Sequence, residues 1–88
     1  MTEPTRRDVL RLLAFGGTKT LIGTTEIQFP LASSCSASEF LDAVCRRYPQ
    51  LAPQRQALRL AVNGAYVDSD HHVASGDEVA LIPPVAGG

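Results

Sequence analysis

The chain has 88 residues, 44% of them hydrophobic and 19% charged, and its formal net charge is −1. A chain of this length and composition forms one globular domain, whose modest core leaves no room for a large internal active site. Eight basic residues against nine acidic ones give no basic face for nucleic acid or for an acidic membrane surface, so we expect neither as a partner.

A polar segment, residues 1–8, opens the chain, and we interpret it as a flexible leader before a folded domain of residues 9–82. Arg6 and Arg7 precede an apolar stretch, as in a twin-arginine export signal, but Arg11 interrupts that stretch before it reaches the required length of about 7–15 uncharged residues. No apolar run approaches the roughly 18 residues of a transmembrane helix. We therefore expect a cytoplasmic protein.

Two strands are predicted in the first third of the chain. Residues 9–15, VLRLLAF, are almost continuously apolar, which indicates a strand buried on both faces. Gly16 and Gly17 end that strand, and the following TKTLIG favours a short helical turn closed by Gly23. The segment TTEIQFPL then supplies a second strand, which we expect to pair with the first as an antiparallel hairpin.

An amphipathic helix follows. Ser36 and Glu39 have the spacing of a capping box, in which each side chain satisfies the backbone amide of the other residue. One apolar stripe at helical spacing contains Ala37, Phe40, Leu41, Val44, Cys45 and Tyr48. Pro49 is expected to end the helix, because the residue before a proline disfavours the helical region, and a loop is expected to continue through Pro53.

The last third of the chain carries a strong hairpin signal. Leu58, Leu60 and Val62 alternate on one face, and Asn63-Gly64 suits a tight two-residue turn. Residues 68–77 form a polar connection around a single valine. The final strand is predicted at residues 78–82.

This order of elements predicts an α+β fold, in which one main helix packs on one face of a mixed sheet of four or five strands. One helix clasped by such a sheet is the β-grasp, or ubiquitin-like, architecture. The first strand carries Val9, Leu13 and Phe15 on one face and Leu10, Leu12 and Ala14 on the other, whereas the predicted helix covers one face of the sheet only. We expect a partner protein to cover the second apolar face.

The residue types used in catalysis are present but not arranged for it. His71 and His72 are adjacent, so their side chains diverge in an extended segment and lack the spacing of a metal pair. The segment GGTKT at residues 16–20 lacks the spacing of a phosphate-binding loop. Cys35 and Cys45 are too few for a disulfide framework and are expected to act as small hydrophobic residues. We predict no self-contained active site, no bound cofactor and no metal.

The segment PPVAGG at residues 83–88 has a different character. It consists of Pro83, Pro84, Val85, Ala86, Gly87 and Gly88. The two prolines stiffen the chain into an extended spacer, and the side chains then shrink toward the end, so that the segment fits a narrow channel. Its six residues reach roughly 20 Å at about 3.3 Å each. Because glycine loses the most entropy on ordering, the Gly-Gly pair favours delivery of a carboxylate to another protein over a structural role.

Residues 9–88 resemble the small subunits of molybdopterin synthase, within the MoaD/ThiS family of ubiquitin-like sulfur carriers. The similarity is most specific over GDEVALIPPVAGG at residues 76–88, and it extends back through the helix to LLAFGG in the first strand. The leader departs from the pattern, because the family usually lacks it.

The resemblance implies a function for the tail. A MoeB-like enzyme, using ATP and magnesium, would adenylate the Gly88 carboxylate. A sulfur donor, either a cysteine desulfurase or a rhodanese, would then convert it to a thiocarboxylate. Residues 83–87 would insert into a large, MoaE-like subunit, in an assembly of two small and two large subunits. There Gly88 would give sulfur to cyclic pyranopterin monophosphate to form molybdopterin. Phe15, Tyr66 and Ile82 match family positions in the apolar contact with the large subunit, and each also fits a core role.

Three alternatives stay open. A ThiS-type carrier for thiamine thiazole synthesis is usually shorter and lacks the proline pair, so Pro83-Pro84 argues against it. A ubiquitin-like protein modifier would join Gly88 to lysine side chains through isopeptide bonds. A plain interaction module would carry an inert tail.

Overall fold

A five-stranded mixed sheet lies at the centre of the fold, in a computed structural model that describes residues 8–83. In chain order the elements are β1 (Val9–Ala14), α1 (Gly16–Ile22), β2 (Glu26–Pro30), β3 (Cys35–Ser36), α2 (Ala37–Arg47), a 3-10 helix (Pro49–Ala57), β4 (Arg59–Val62), β5 (Ala65–Tyr66), β6 (His72–Val73) and β7 (Glu78–Ile82). The strand order is β2-β1-β7-β4-β5, and β1 runs parallel to β7. The predicted β-grasp arrangement is confirmed.

The first hairpin forms as predicted. β1 and β2 are antiparallel, with Leu10 opposite Phe29 and Leu12 opposite Ile27. The predicted helical turn between them is α1, which ends at Gly23, where the backbone amide donates to the Lys19 carbonyl at 2.7 Å. The Asp8 carbonyl accepts from the Leu31 amide at 2.7 Å. Residues 1–7 of the predicted leader lie outside the described residues.

The capping box of α2 is also confirmed. The Glu39 amide donates to Ser36 Oγ at 3.1 Å, and the Ser36 amide donates to Glu39 Oε1 at 2.9 Å. These bonds satisfy amides that the first turn of a helix otherwise leaves without partners. α2 ends at Arg47, before Pro49.

The region after α2 differs from the predicted loop. Residues Pro49–Ala57 form a 3-10 helix. Proline at the first position of a helix needs no amide bond and has a suitable backbone angle, and Leu51 is fully buried beneath α2 and the sheet. The two prolines of this segment suggested an irregular loop. Burial of Leu51 instead accompanies a regular 3-10 helix.

The tight turn at Asn63-Gly64 is confirmed, and both residues have positive φ, 51° and 90°. This is the geometry of a type I′ turn, which asparagine and glycine adopt with little strain. The Asn63 side chain also accepts from the Glu78 amide at 3.0 Å and donates to Asp77 at 3.1 Å. The turn is thus fastened to the start of β7.

One continuous core lies between α2 and the sheet. Its buried residues are Leu10, Leu12, Phe29, Ala37, Phe40, Leu41, Val44, Leu51, Leu58, Leu60, Val62, Val73, Val79 and Leu81. Phe29 and Phe40 meet edge to face, with ring centroids 5.1 Å apart. The predicted polar connection holds the short strand β6, which pairs with β3 and buries Val73. Within the described part of the chain, no helix has the length and apolarity needed to cross a bilayer.

Candidate functional site

The sheet face opposite α2 has no element packed on it within residues 8–83, and we call it the open face. Side chains alternate between the two faces of a strand, so the open face receives alternate residues from each strand. Its apolar part, which we call the apolar patch, consists of Leu13, Phe15, Ala61, Tyr66, Ala80 and Ile82. Strand register places Leu13, Ala80, Ala61 and Tyr66 in one row across four strands.

The structure brings together the three residues predicted for partner contact. Phe15 is 50% exposed and Tyr66 is 74% exposed, and they are the exposed large hydrophobic residues of the described chain. Ile82 is half-buried at the end of β7. It lies one position beyond the pairing of Ala14 with Leu81, which puts it beside Phe15. Exposure places Phe15 and Tyr66 outside the core, and their contact with a partner stays a prediction.

The expectation that β1 is buried on both faces holds for one face only. Leu10, Leu12 and Ala14 are buried, whereas Leu13 is half-buried and Phe15 is exposed. Hydrophobic side chains of this size stabilise a complex when they leave water, at about 25 cal/mol per Å² of apolar area. The apolar patch is therefore a surface suited to docking.

The other end of the open face is charged. Arg11 lies between Glu26 and Glu78, with its guanidinium 2.8 Å from one carboxylate and 2.7 Å from the other. The hydrogen bond to Glu26, together with the charge of that carboxylate, raises the pKa of Arg11. The three side chains are about half exposed, so their ion pairs stabilise the fold little. They keep this end of the face hydrated and confine the apolar patch to the other end.

The tail leaves the sheet next to the apolar patch. Because β7 and β1 are parallel, both strands end at the same edge of the sheet, and Pro83 emerges beside Phe15. Pro83 lies against Gly16, where an added Cβ atom would be 3.3 Å from Pro83 Cγ. The other predicted tail residues, which run from Pro84 through Val85, Ala86 and Gly87 to Gly88, lie outside the described residues.

Sequence reasoning missed the residue that shapes this edge. Thr18 is fully buried, and its hydroxyl group donates to the Phe15 carbonyl and accepts from the Phe15 amide at 3.1 Å. Sequence reasoning placed Thr18 in a short helical turn and in a segment unlike a phosphate-binding loop, and it assigned no role to the Thr18 side chain. Thr18 stands three residues after Phe15, the N-cap of α1. A polar side chain at that spacing can accept from the N-cap amide, as in one half of a capping box, and this spacing was the available signal.

The remaining candidate nucleophiles are not activated. Burial raises the pKa of the Cys35 thiol and of the Cys45 thiol, so both stay protonated near neutral pH and react poorly. His71 and His72 are exposed. Within residues 8–83 no group of three histidine, cysteine or acidic side chains is placed to hold a metal ion.

The amino-acid sequence of the chain is similar to those of known proteins. A sequence model of the ThiS family matches residues 12–88. The chain is 38% identical to the molybdopterin synthase sulfur carrier subunit of Aedes aegypti, over 90% of this chain and 88% of that protein. It is 34% identical to the subunit of the same name from Escherichia coli (strain K12), over 91% of this chain and all of that protein.

Solved structures share the fold at lower identity. The putative molybdopterin converting factor, subunit 1, from Pyrococcus furiosus has a TM-score of 0.76 at 22% identity, covering 88% of this chain and 98% of that one. Small archaeal modifier protein 1 of Haloferax volcanii has a TM-score of 0.73 at 21% identity, with coverage of 88% and 98%. A complex of subunits 1 and 2 of the molybdopterin-converting factor from Helicobacter pylori has a TM-score of 0.62 at 21% identity, with coverage of 91% and 99%.

Proposed function

The chain belongs to the ThiS family of ubiquitin-like sulfur carriers, and on that basis we propose that it is the sulfur carrier subunit of a molybdopterin synthase. The observation that carries this proposal is its 38% identity to a relative of that name over 90% of the chain. The family match continues to residue 88 and so includes the tail. The geometry agrees, because Pro83 leaves the sheet beside an exposed apolar patch.

The proposed partner of the open face is the large, MoaE-like subunit of the synthase. Phe15 and Tyr66 offer large apolar side chains that a free protein would otherwise leave in water. A structural relative from Helicobacter pylori is described as a complex of subunits 1 and 2, and a contact of that kind would cover the apolar patch here. We expect an assembly of two small and two large subunits.

The proposed chemistry begins at the Gly88 carboxyl group. A carboxylate is a poor electrophile, so its oxygen first attacks the α-phosphate of ATP, and pyrophosphate leaves. This step belongs to a MoeB-like enzyme, which would hold the ATP and magnesium. The persulfide of a cysteine desulfurase or a rhodanese then displaces AMP and forms an acyl disulfide with Gly88. A second thiol attacks this S–S bond and is oxidised to a disulfide, which releases the Gly88 thiocarboxylate. The thiols of Cys35 and Cys45 are poor sulfur acceptors, because burial raises the pKa of each.

The second half of the reaction takes place on the large subunit. The tail enters the active site of that subunit, and the thiocarboxylate donates its sulfur to cyclic pyranopterin monophosphate. Water then hydrolyses the bond between the Gly88 acyl group and the transferred sulfur, so Gly88 returns to a carboxylate. Two loaded carriers are used for each dithiolene formed, because each brings one sulfur atom. In this scheme the catalytic side chains belong to the large subunit, and this chain contributes the docking surface, the direction of the tail and the sulfur itself.

Intact mass spectrometry tests the proposal. The protein is incubated with a MoeB-like enzyme, ATP with magnesium, a persulfide donor and a reducing thiol, and we expect a mass gain equal to the replacement of one oxygen by sulfur. The matched control lacks only Gly87 and Gly88. Residues 8–83 carry the core, so this control should fold equally well and gain no sulfur.

Adding the large subunit and cyclic pyranopterin monophosphate should return the mass to its original value and yield molybdopterin. Failure to gain sulfur at all contradicts the proposal. Transfer of the sulfur only to a thiazole synthase would indicate a ThiS-type carrier. Isopeptide bonds from Gly88 to lysine side chains would indicate a protein modifier.

A further inference from the structure

Pro83 and Gly16 meet where the tail begins. The α1 helix starts at Gly16, which has a φ of 56°, and a Cβ atom there would lie 3.3 Å from Pro83 Cγ. That distance is shorter than the ordinary carbon–carbon contact of about 3.5–4.0 Å. The positive φ also disfavours any residue that carries a Cβ atom. Both features therefore favour glycine here, since a Cβ atom would strain the backbone and would displace Pro83 by a few tenths of an ångström.

The backbone beneath Pro83 is held in place. The buried hydroxyl of Thr18 bonds to both the amide and the carbonyl of Phe15, and the Thr18 amide also donates to that carbonyl at 3.1 Å. Thr18 is the buried polar side chain of the described residues. A residue whose amide and carbonyl are both bonded inside the fold cannot turn freely, so Gly16 directly after it presents a fixed surface. We call Phe15, Gly16, Thr18 and Pro83 the tail seat.

The tail seat influences the direction of the chain after Pro83 because the ring of a proline restricts its backbone angles. The pyrrolidine ring fixes φ near −65°, and a proline at the next position biases ψ of Pro83 toward extended values, so the place where the ring rests restricts the direction of the chain that follows. Five residues span at most roughly 17 Å when fully extended, at about 3.3 Å each. For such an extended chain, a rotation of about 10° at Pro83 would displace the last residue by up to about 3 Å. Reaction rates fall steeply with such errors, by about 100-fold for a misplacement near 1 Å.

We propose that Gly16 is a positioning residue for sulfur transfer, because its missing side chain lets Pro83 rest on the tail seat and directs the tail into the partner's active site. The inference rests on the proposed function and adds a residue to it. Gly16 does not contact the reacting atoms. Its effect is on the rate of the transfer step and not on docking, because the apolar patch forms without it.

The first experiment compares two alanine variants of neighbouring glycines. Gly16→Ala adds a methyl group against Pro83, whereas Gly17→Ala adds one where no heavy atom lies within 4 Å. Each protein is loaded with sulfur and mixed with the large subunit and cyclic pyranopterin monophosphate. We expect the single-turnover rate to fall roughly tenfold or more for Gly16→Ala. The rate for Gly17→Ala and the Kd of both variants for the large subunit should stay within about twofold of the unmodified protein.

A second set of variants separates the contact from backbone strain. Asparagine tolerates positive φ better than alanine does but still carries a Cβ atom, so Gly16→Asn should fold and should also slow transfer. Pro83→Ala removes Cγ, so Gly16→Ala combined with Pro83→Ala should be no slower than Pro83→Ala alone. By nuclear magnetic resonance, the Overhauser contact between the Pro83 ring and Gly16 Hα should be present in the unmodified protein and retained in Gly17→Ala.

Each result decides a separate point. Equal transfer rates for the loaded Gly16→Ala, Gly17→Ala and unmodified proteins overturn the positioning role alone. If the fold-reduction in transfer rate of the double variant equals the product of the fold-reductions of the two single variants, the claim that Gly16 and Pro83 act through one contact is overturned. An unmodified protein that gains no sulfur overturns the proposed function and the positioning role with it. In that case the Overhauser contact would still report whether the tail seat exists.

Discussion

Replacement of Ile82 by aspartate puts a carboxylate on the open face, immediately before the tail. Ile82 is half-buried, whereas the preceding Leu81 is fully buried in the core. Its neighbour across the sheet is the exposed Arg59, which can pair with a carboxylate at about 0.2–1 kcal/mol. Losing the buried half of an isoleucine costs about 1 kcal/mol. We therefore expect Ile82→Asp to lower the free energy of unfolding by about 1 kcal/mol at most and the isolated domain to stay folded.

The effect on binding to the large subunit should be much larger. The exposed half of Ile82 would contribute about 1 kcal/mol on burial in a complex. An unpaired charge buried at an interface costs about 2–5 kcal/mol, and pairing with Arg59 returns up to about 1 kcal/mol. The net loss is about 2–6 kcal/mol. Since about 1.4 kcal/mol corresponds to tenfold in affinity, the Kd should rise roughly 30- to 20,000-fold.

Isothermal titration calorimetry against the large subunit measures this change, and thermal unfolding of the isolated variant accompanies it. Ala52→Asp is the matched control, because it adds the same charge at an exposed position of the 3-10 helix, away from the open face. An unchanged Kd for Ile82→Asp would refute docking through the apolar patch. Global unfolding of the isolated variant would instead show that Ile82 belongs to the core.

Two further predictions concern the helix cap and the thiols. Ser36→Ala removes the hydrogen bond to the Glu39 amide and should lower the free energy of unfolding by about 1 kcal/mol. In a thermal scan this change lowers the Tm by about 4–8 °C. The control Ser34→Ala, in the exposed loop, should leave the Tm unchanged. Iodoacetamide should alkylate Cys35 and Cys45 slowly at neutral pH and faster as the pH rises above the ordinary thiol range, because burial raises the pKa of both. Changing both cysteines to alanine should leave sulfur loading intact, and loss of loading would place the carried sulfur on a thiol.

Local features of this fold could be predicted from the sequence because neighbouring residues determine them. Ser36 and Glu39 satisfy each other's amides within one helical turn. Asn63-Gly64 adopts a turn that few other residue pairs tolerate. The bounds of the final strand were also predicted correctly, since an apolar run ends at a proline pair. The family resemblance depended on the same short segment and its continuation into the tail.

Longer-range interactions explain where the sequence interpretation was wrong or incomplete. The segment Pro49–Ala57 is ordered because Leu51 is buried in the core, and Val73 is buried because β6 pairs with the distant β3. Neither burial has a local signal, since a single apolar residue among polar ones shows no periodicity. Likewise, an apolar run such as residues 9–15 indicates two apolar faces but not whether both are covered within the chain.

The sequence by itself therefore determined the main helix, the longer strands, the tight turn and the family, because each depends on residues that are close together along the chain. Only the tertiary structure decided that Phe15, Tyr66 and Ile82 share one uncovered face, and that Pro83 rests on Gly16. Those relations depend on the parallel pairing of β1 with β7. That pairing joins the two ends of the domain, and it is set by the packing of the core between the sheet and α2, not by any local pattern.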